Sequence, residues 1–490
     1  MKFSQLLSAA DLAAPDTDLD ADVQHVQVDS RRCGPGDCFV ALRGVKVDGH
    51  AFIPAALSAG CSAVVCEDRS AVPPGMPCAV VADSHTALGR LAQAIRGWPA
   101  RRLRCIAVTG TNGKSTVTYL VRAILEAAGH KAGLIGTISY ETTVRSIPAC
   151  NTTPDATVLA ELTDEMVQAG CSHLIMEVSS HALHQRRVEG LEFDVAIFTN
   201  LTGDHMDYHG TREHYLASKR MLFERLGPSA TAVINADDEA GPAMASATAA
   251  GVLTYGLSPL AALRAVIERI DASGTAFRMI APDGEVRVHS PLIGRHNVQN
   301  GLAAAGACHS LGIPLEACAD ALARVSRIPG RLERVQVDAP YQVFVDYAHT
   351  DDALKNVLSA LQPVKQNGRV IVVFGCGGDR DRSKRPRMAA VAERLADHLV
   401  ITSDNPRSES PQAIIDEIVA GLSEGARAGA DIRVDRREGI RRAVEIARPG
   451  DVILIAGKGH EAYQIIGSTR SHFDDVEVAA EEMKRREARS

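Results

Sequence analysis

Along this chain, short continuous apolar runs end repeatedly in polar, glycine-bearing loops, and amphipathic helical patterns fill the intervals between them. Unbroken apolar runs of four to six residues predict strands buried on both faces. Their alternation with helices predicts an α/β fold built on mostly parallel sheets. The sharpest instance is CIAVTGTNGKSTVTYLVRAILEAAG. Residues 105–108 predict a strand and 110–114 a tight loop, while Val117, Leu120, Val121, Ile124, Leu125 and Ala128 make one face of a helix closed by Gly129.

The same pattern divides the chain in three. Residues 1–100 carry the runs VQHVQV, CFVAL, SAVVC and CAVVAD between turn signals at Pro35-Gly36-Asp37 and Pro73-Pro74-Gly75, predicting a small α/β domain. In residues 101–333 the runs HLIME and DVAIFTNL lead into polar loops, and strands of one parallel sheet put such loops along one edge, beside the loop at 110–114. Residues 334–490 hold five strand-and-loop units, YQVFVDYAHT, RVIVVFGCGGDRD, HLVITSDNPR, DIRVDRR and DVILIAGKGHE. Helical patterns such as PRMAAVAERLAD and EGIRRAVEIA alternate with them, predicting a Rossmann-like C-terminal domain.

A length of 490 residues is enough for about three domains with separate cores. The net charge of −7 argues against a general nucleic-acid binder, so anionic ligands must be met by local Arg, Lys and backbone N–H groups. Eleven cysteines without a C-x-x-C suit a reducing cytoplasm better than a disulfide framework or a zinc site. Asp11 breaks the only apolar run of the N-terminus, unlike a signal peptide, and no run approaches the ~20 apolar residues of a membrane span. These features predict a soluble cytoplasmic enzyme.

The loop at 110–114 is a phosphate cradle. Glycines let backbone N–H groups approach an anion, the helix N-terminus adds partial positive charge, Lys114 supplies a point charge, and Ser115 or Thr116 suits Mg²⁺. The match to G-x-x-x-x-G-K-S/T is incomplete, because Val108 holds the first glycine position and Gly110 is the usable glycine. Glu177 and His205 fall in loops of the same sheet edge, where each is either a metal contact or a satisfied strand-end group. In the helix predicted over residues 211–226, Leu216, Leu222, Phe223 and Leu226 make the apolar stripe with Lys219 in its middle. A buried ammonium costs several kcal/mol unless paired or neutralised, and periodicity alone favours a lysine that snorkels its charge to solvent. The loops 377–381, 404–407 and 457–461 all follow predicted buried strands and gather at one end of the C-terminal domain if those strands are parallel.

TGTNGKST resembles the nucleotide loop of the Mur ligases and their folylpolyglutamate synthetase relatives, enzymes that spend ATP to join a carboxylate to an amine. The resemblance continues in family order through D-S-R at 29–31, EVSSHAL at 177–183, GDHMDYHG at 203–210, S-K-R-x-L-F at 218–223 and DNPR at 404–407. It implies that Gly110, Thr111, Asn112, Gly113, Lys114, Ser115 and Thr116 hold ATP, with Asn297 and Arg331 from the adenine-proximal and interdomain segments, and Asp346 and His349 from the C-terminal side. Ser115, Glu177, His205 and Lys219, the last carboxylated by CO₂, are implied Mg²⁺ ligands. Catalysis would rest on Lys114, Lys219, Glu177 and His205. Ser30, Asn151, Thr152, Thr153, Ser179, Gln185 and Arg187 are implied contacts of a uridine-nucleotide peptide.

DNPR resembles the signature of family members that add meso-diaminopimelate, whose far end carries a second carboxylate. Arg380, Asp404, Asn405, Pro406, Arg407, Gly457 and Glu461 would receive that amino acid. The implied activity is ATP-dependent ligation of meso-diaminopimelate to UDP-N-acetylmuramoyl-L-alanyl-D-glutamate through an acyl phosphate, by a monomer with small-molecule partners, no nucleic acid and no membrane span. A sister ligase adding L-lysine, and a P-loop regulatory or transport ATPase, remain the alternatives.

Overall fold

A computed structural model describes residues 1–15, 20–44, 47–203, 206–365 and 367–488. Four parallel strands, His25–Gln27, Asp37–Val40, Ala63–Cys66 and Cys78–Val80, lie side by side in chain order near the N-terminus. Both faces are covered, as a parallel sheet requires. Val40 and Val65 meet Phe3, Leu7, Leu88 and Leu91 on one side, and Phe39 and Val64 meet Ile53 and Val72 on the other.

The central sheet has eleven strands, and its heart is parallel in the spatial order Ala132–Ile135, His173–Glu177, Arg104–Thr109, Val195–Phe198, Thr231–Asn235 and Gly251–Gly256. The strand Arg104–Thr109 therefore lies between two strands that follow it in the chain, and the carboxyl ends on either side of it open a crevice at this reversal. Helix Lys114–Ala127 packs Val117, Leu120, Val121 and Ile124 against helix Arg295–Ser310, from which Leu302, Ala303 and Ala304 join the same core. The sheet is extended by strands that the apolar runs do not announce, most of them paired antiparallel. Ser139–Glu141 and Ser146–Pro148 add to one edge, and the wing Leu263–Asp271, Gly274–Ala281 and Gly284–Ser290 to the other. Leu263–Asp271 and Gly284–Ser290 are largely exposed, so their sequence is mixed instead of running apolar.

The C-terminal sheet places five parallel strands in the order Gln342–Asp346, Val452–Ala456, Val370–Phe374, His398–Thr402 and Asp431–Arg433, with Glu333–Arg334 antiparallel at the edge. VIVVF and VILIA are buried at every position, which explains their unbroken apolar character. The last of these strands in the chain is thus the second in space, and its following loop comes to rest between those of its neighbours. Among the described residues no helix is long and apolar enough to cross a membrane.

Candidate active site

The phosphate loop takes the backbone its glycines allow. Gly110 and Gly113 have φ of +148° and +87°, and a Cβ on them would lie 1.9 Å from Thr199 Oγ1 and 2.5 Å from Asn300 Oδ1. The loop is held from the neighbouring strand end. Thr111 N donates to Asn200 O at 2.9 Å, Asn112 N to Asn200 Oδ1 at 2.9 Å, and Thr199 Oγ1 donates to Asn112 O at 2.6 Å. Lys114 Nζ folds back over the loop and donates to Gly110 O and Thr111 O at 3.0 and 2.8 Å. Ser115 Oγ accepts from Arg331 Nη2 at 2.8 Å. Asn297 and Asn300, which sequence alone assigns to a loop, stand in the first turns of helix Arg295–Ser310, with Asn300 Nδ2 donating to Asn297 Oδ1 at 3.1 Å. A cavity of about 670 Å³ is lined by Thr111–Thr116, Thr152, Glu177, Asn297, Asn300, Arg331 and Asp346–His349.

Glu177 ends its strand with 1 % exposure, one carboxylate oxygen accepting from Thr137 N and the other from Thr137 Oγ1, each at 2.9 Å. Thr137 Oγ1 lies 3.1 Å from Thr152 Oγ1, and Thr153 Oγ1 donates to Glu177 O at 2.9 Å while accepting from Ser179 N at 3.1 Å. Arg187 closes this corner, with Nη1 on Thr153 O at 2.9 Å and Nη2 on Gln185 Oε1 at 2.7 Å. Asn151 is exposed and accepts from Tyr140 OH through its carbonyl at 2.6 Å. Ser30 stands elsewhere, in a short turn of the N-terminal sheet capped by Asp29, and does not line this cavity.

Helix Arg212–Glu224 buries Lys219 to 1 % exposure among Tyr215, Ser218, Leu222 and Phe223, with Leu216 partly exposed. Its Nζ lies 4.4 Å from the centre of the Tyr215 ring. Tyr215 OH in turn pairs with Thr111 Oγ1 at 3.0 Å, so the lysine's helix is tied to the phosphate loop. Sequence reasoning missed Tyr215, which carries no motif signal; the one cue that could have found it is its position four residues before Lys219, on the same helix face. His205 lies outside the described residues.

Across the cavity, Asp346 accepts from Leu332 N at 2.6 Å and Ala348 N at 2.7 Å. Burial pushes its carboxyl up to about 6, although the Arg331 guanidinium and those two N–H groups oppose the shift. His349 Nδ1 pairs with Tyr347 O at 2.8 Å. Beside these groups the strand-end loops converge. Asn405 Nδ2 donates to Glu461 Oε2 at 2.8 Å, and Arg407 Nη1 donates to Gly378 O at 2.7 Å. Gly457 has φ of +118°, and a Cβ there would sit 2.6 Å from Asp404 Oδ2. Pro406 is buried and its carbonyl touches Gly378. Arg407 is only partly exposed, whereas Arg380 is exposed with its Nη1 on Asp379 O at 3.2 Å.

Two supports of this loop cluster escape sequence reasoning. Lys458 is fully buried between Gly457 and Glu461. Arg436 and Asp475 form a fully buried ion pair at 2.7 Å, and the guanidinium also donates to Ser403 O and Ala456 O at 3.1 and 3.0 Å, fixing the ends of two strands. The one signal that could have found Lys458 is a lysine two residues beyond a wholly apolar strand. Nothing in the sequence links Arg436 with a partner so distant in the chain.

Comparison with known proteins agrees with this architecture. The chain matches the family described as Mur ligase middle domain over residues 108–308, the Mur ligase glutamate ligase domain over 330–459, and the Mur ligase family catalytic domain over 22–96. It is 46 % identical over 479 residues to the UDP-N-acetylmuramoyl-L-alanyl-D-glutamate--2,6-diaminopimelate ligase of Geobacter metallireducens, covering 94 % of each chain. The protein of the same name from Geobacillus kaustophilus is 46 % identical over 472 residues, covering 95 % of this chain and 96 % of that one. A solved structure of a ligase of that name superposes with a TM-score of 0.70 at 32 % identity, covering 99 % of this chain and 100 % of the other. By domain matches, identity and fold alike, the chain belongs to the Mur ligase family.

Proposed function

We propose that this protein is the ATP-dependent ligase that adds meso-diaminopimelate to UDP-N-acetylmuramoyl-L-alanyl-D-glutamate, a step of peptidoglycan precursor synthesis. The observation that carries the proposal is the meeting of the phosphate loop, Arg331 and Asp346–His349 around one cavity of about 670 Å³, with the loops of Asp404, Asn405, Arg407 and Glu461 beside it. In this reading ATP transfers its γ-phosphoryl group to the side-chain γ-carboxylate of the D-glutamyl residue and leaves as ADP. The amine of the diamino acid then attacks the acyl phosphate, loses a proton, and the tetrahedral intermediate expels inorganic phosphate as the amide forms.

The residues divide this work by position. Lys114 and the N–H groups of residues 110–116 neutralise charge on the transferring phosphoryl. Asn297, Arg331, Asp346 and His349 seat the rest of the nucleotide. Asn151, Thr152, Thr153, Ser179, Gln185 and Arg187 face the peptide end of the uridine nucleotide, with Ser30 toward its uridine end. Arg407 and Arg380 address the far carboxylate of diaminopimelate, and Glu461, supported by Asp404, Asn405, Pro406 and Gly457, its far ammonium.

The donors near the phosphate loop suit Mg²⁺. Ser115 Oγ and the Glu177 carboxylate offer the hard oxygens that this ion prefers. Among the described residues no three His, Cys, Asp or Glu side chains form a metal cluster, so Lys219 completes the donor set only as a carbamate, with His205 as the further ligand. Mg²⁺ bound there would screen the phosphate charge. The enzyme is proposed to act as a cytoplasmic monomer on small molecules.

The test is phosphate release by the purified protein. Release that requires ATP, the UDP-linked dipeptide and meso-diaminopimelate together supports the ligase. Release with ATP alone, unaffected by the other two, would make it an ATPase of another kind, and equal use of L-lysine would favour the sister ligase.

A further inference from the structure

Resting on that functional reading, we propose that Lys458 is a positioning residue of the amino-acid seat, whose buried ammonium balances Asp404 and Glu461 and keeps the Glu461 carboxylate ionised and aimed at an incoming ammonium. Lys458 has 0 % exposure. Its Nζ lies 3.8 Å from Glu461 Oε2, donates to Asn405 Oδ1 at 3.3 Å, and donates to the Tyr463 carbonyl. Ile465 N also donates to Asn405 Oδ1, at 3.0 Å. With two donors on its oxygen, the Asn405 amide has one orientation, and its Nδ2 must face Glu461, where it donates at 2.8 Å. Lys458 therefore holds Glu461 twice, by charge and through Asn405.

The charge count points to the ligand. Arg436 and Asp475 cancel as a buried pair beneath the seat. The phenols of Tyr347 and Tyr463 also face Glu461 and stay neutral, since burial raises both. What remains is two carboxylates, Asp404 and Glu461, against one ammonium, Lys458, with Arg407 at the rim. The seat thus has one excess negative charge for one ammonium, and a guanidinium beside it for one carboxylate. Without Lys458, two carboxylates would share a buried site, and like charges in such a site keep one of them protonated. Burial and Asp404 already push Glu461 up, and Lys458 leads the groups that pull it back.

Lys458→Met keeps length and removes charge. With ATP and the UDP-linked dipeptide saturating, KM for meso-diaminopimelate should rise about tenfold or more at neutral pH while KM for ATP stays within about twofold. The acid limb of kcat/KM for the amino acid should move up by about one pH unit or more, because Glu461 must shed its proton without Lys458. An unchanged KM and acid limb in K458M, or equal loss of ATP and amino-acid affinity with no pH shift, overturns the proposal while the parent activity leaves the functional reading intact. A parent that ligates no diamino acid overturns that reading and this proposal with it. Should K458M fail to fold, K458M/E461Q decides: recovery of a folded protein in the double variant supports charge balance, and failure of both variants overturns it.

Discussion

Arg407→Ala removes the guanidinium proposed to recognise the far carboxylate of diaminopimelate, and the structure sets the size of the effect. The residue sits at φ +53°, a strained conformation that alanine shares, so the exchange adds no new backbone penalty. Its main chain is fixed independently of its side chain, Arg407 N donating to Ile465 O at 3.1 Å and Gly467 N to Arg407 O at 2.7 Å. The side chain is partly exposed and spends Nη1 on Gly378 O at 2.7 Å, leaving its other N–H groups for a ligand. A fully buried guanidinium deprived of its partner would cost roughly 3–5 kcal/mol. For a partly exposed one the loss is that of a charge-assisted hydrogen bond, about 1.5–3 kcal/mol, or roughly 10- to 150-fold. The parent should therefore prefer meso-diaminopimelate to L-lysine by about that factor, and Arg407→Ala should lower kcat/KM for diaminopimelate by a similar one while changing that for L-lysine by less than about threefold. Steady-state phosphate release with each amino acid measures both. Equal kcat/KM for the two amino acids in the parent, or a parallel fall for both in the variant, would show that this arginine does not select the substrate.

Three further outcomes follow from the site. Lys114→Ala should abolish acyl-phosphate formation, seen as loss of positional isotope exchange in ATP without the diamino acid; exchange at the parental rate contradicts the role. Lys219→Ala should lose ligation by at least about 10²-fold and regain part of it with short carboxylates in the buffer, whereas full activity without them removes the lysine from the mechanism. Asp346 is raised to about 6 from 3.8, so the folded state binds its proton more tightly than the unfolded one, and its contribution to stability is complete below about 4 and lost as pH rises through about 6. Asp346→Asn should erase that loss: the parent-minus-variant difference in unfolding free energy should fall by about 2.5 kcal/mol between pH 4 and pH 7, and a flat difference refutes the buried-carboxyl account.

The parallel hearts of the sheets were legible because a strand buried on both faces must be apolar at every position, as in VIVVF and VILIA. The wing at residues 263–290 was not, since its outer strand Gly284–Ser290 and much of Leu263–Asp271 meet solvent and carry little apolar signal. Strand ends mark where loops emerge, so Glu177, Asp404 and Glu461 stood out as loop-mouth residues before their neighbours were known. Spatial order is another matter: the insertion of Val452–Ala456 between Gln342–Asp346 and Val370–Phe374 brings Glu461 beside Asn405, and no local pattern encodes it. The start of helix Arg295–Ser310 was hidden as well, because Gly294, His296 and Asn297 look like a turn until Val298, Leu302 and Ala305 are seen facing the core. Lys458 and Arg436 escaped for the same reason as Tyr215, since a buried polar side chain is explained by its partners, and the partners are tertiary.

The bonds that join the phosphate loop to the C-terminal sheet end on atoms that a nucleotide also seeks. Ser115 Oγ accepts from Arg331, and Asn112 Nδ2 donates to Asp352 Oδ2 at 3.0 Å. Lys114 spends its ammonium on the carbonyls of its own loop. On the proposed function, a triphosphate in the cavity would offer anionic oxygens to Lys114 and Arg331 at once, and these are stronger acceptors than a hydroxyl or a peptide carbonyl. The contacts surrendered would then be weaker than those gained. Because a ligand shifts a conformational equilibrium only by its differential contacts, ATP bound as proposed would favour whichever arrangement lets Lys114 and Arg331 reach the same phosphate chain. Arg331 also lies 4.8 Å from the centre of the Tyr347 ring, which packs tilted by 42° against His460, 5.0 Å between centres, next to Glu461. On the proposed function, drawing Arg331 toward phosphate would act on the packing against which the amino-acid seat rests, and would couple occupation of the nucleotide site to the geometry in which the amine meets the acyl phosphate.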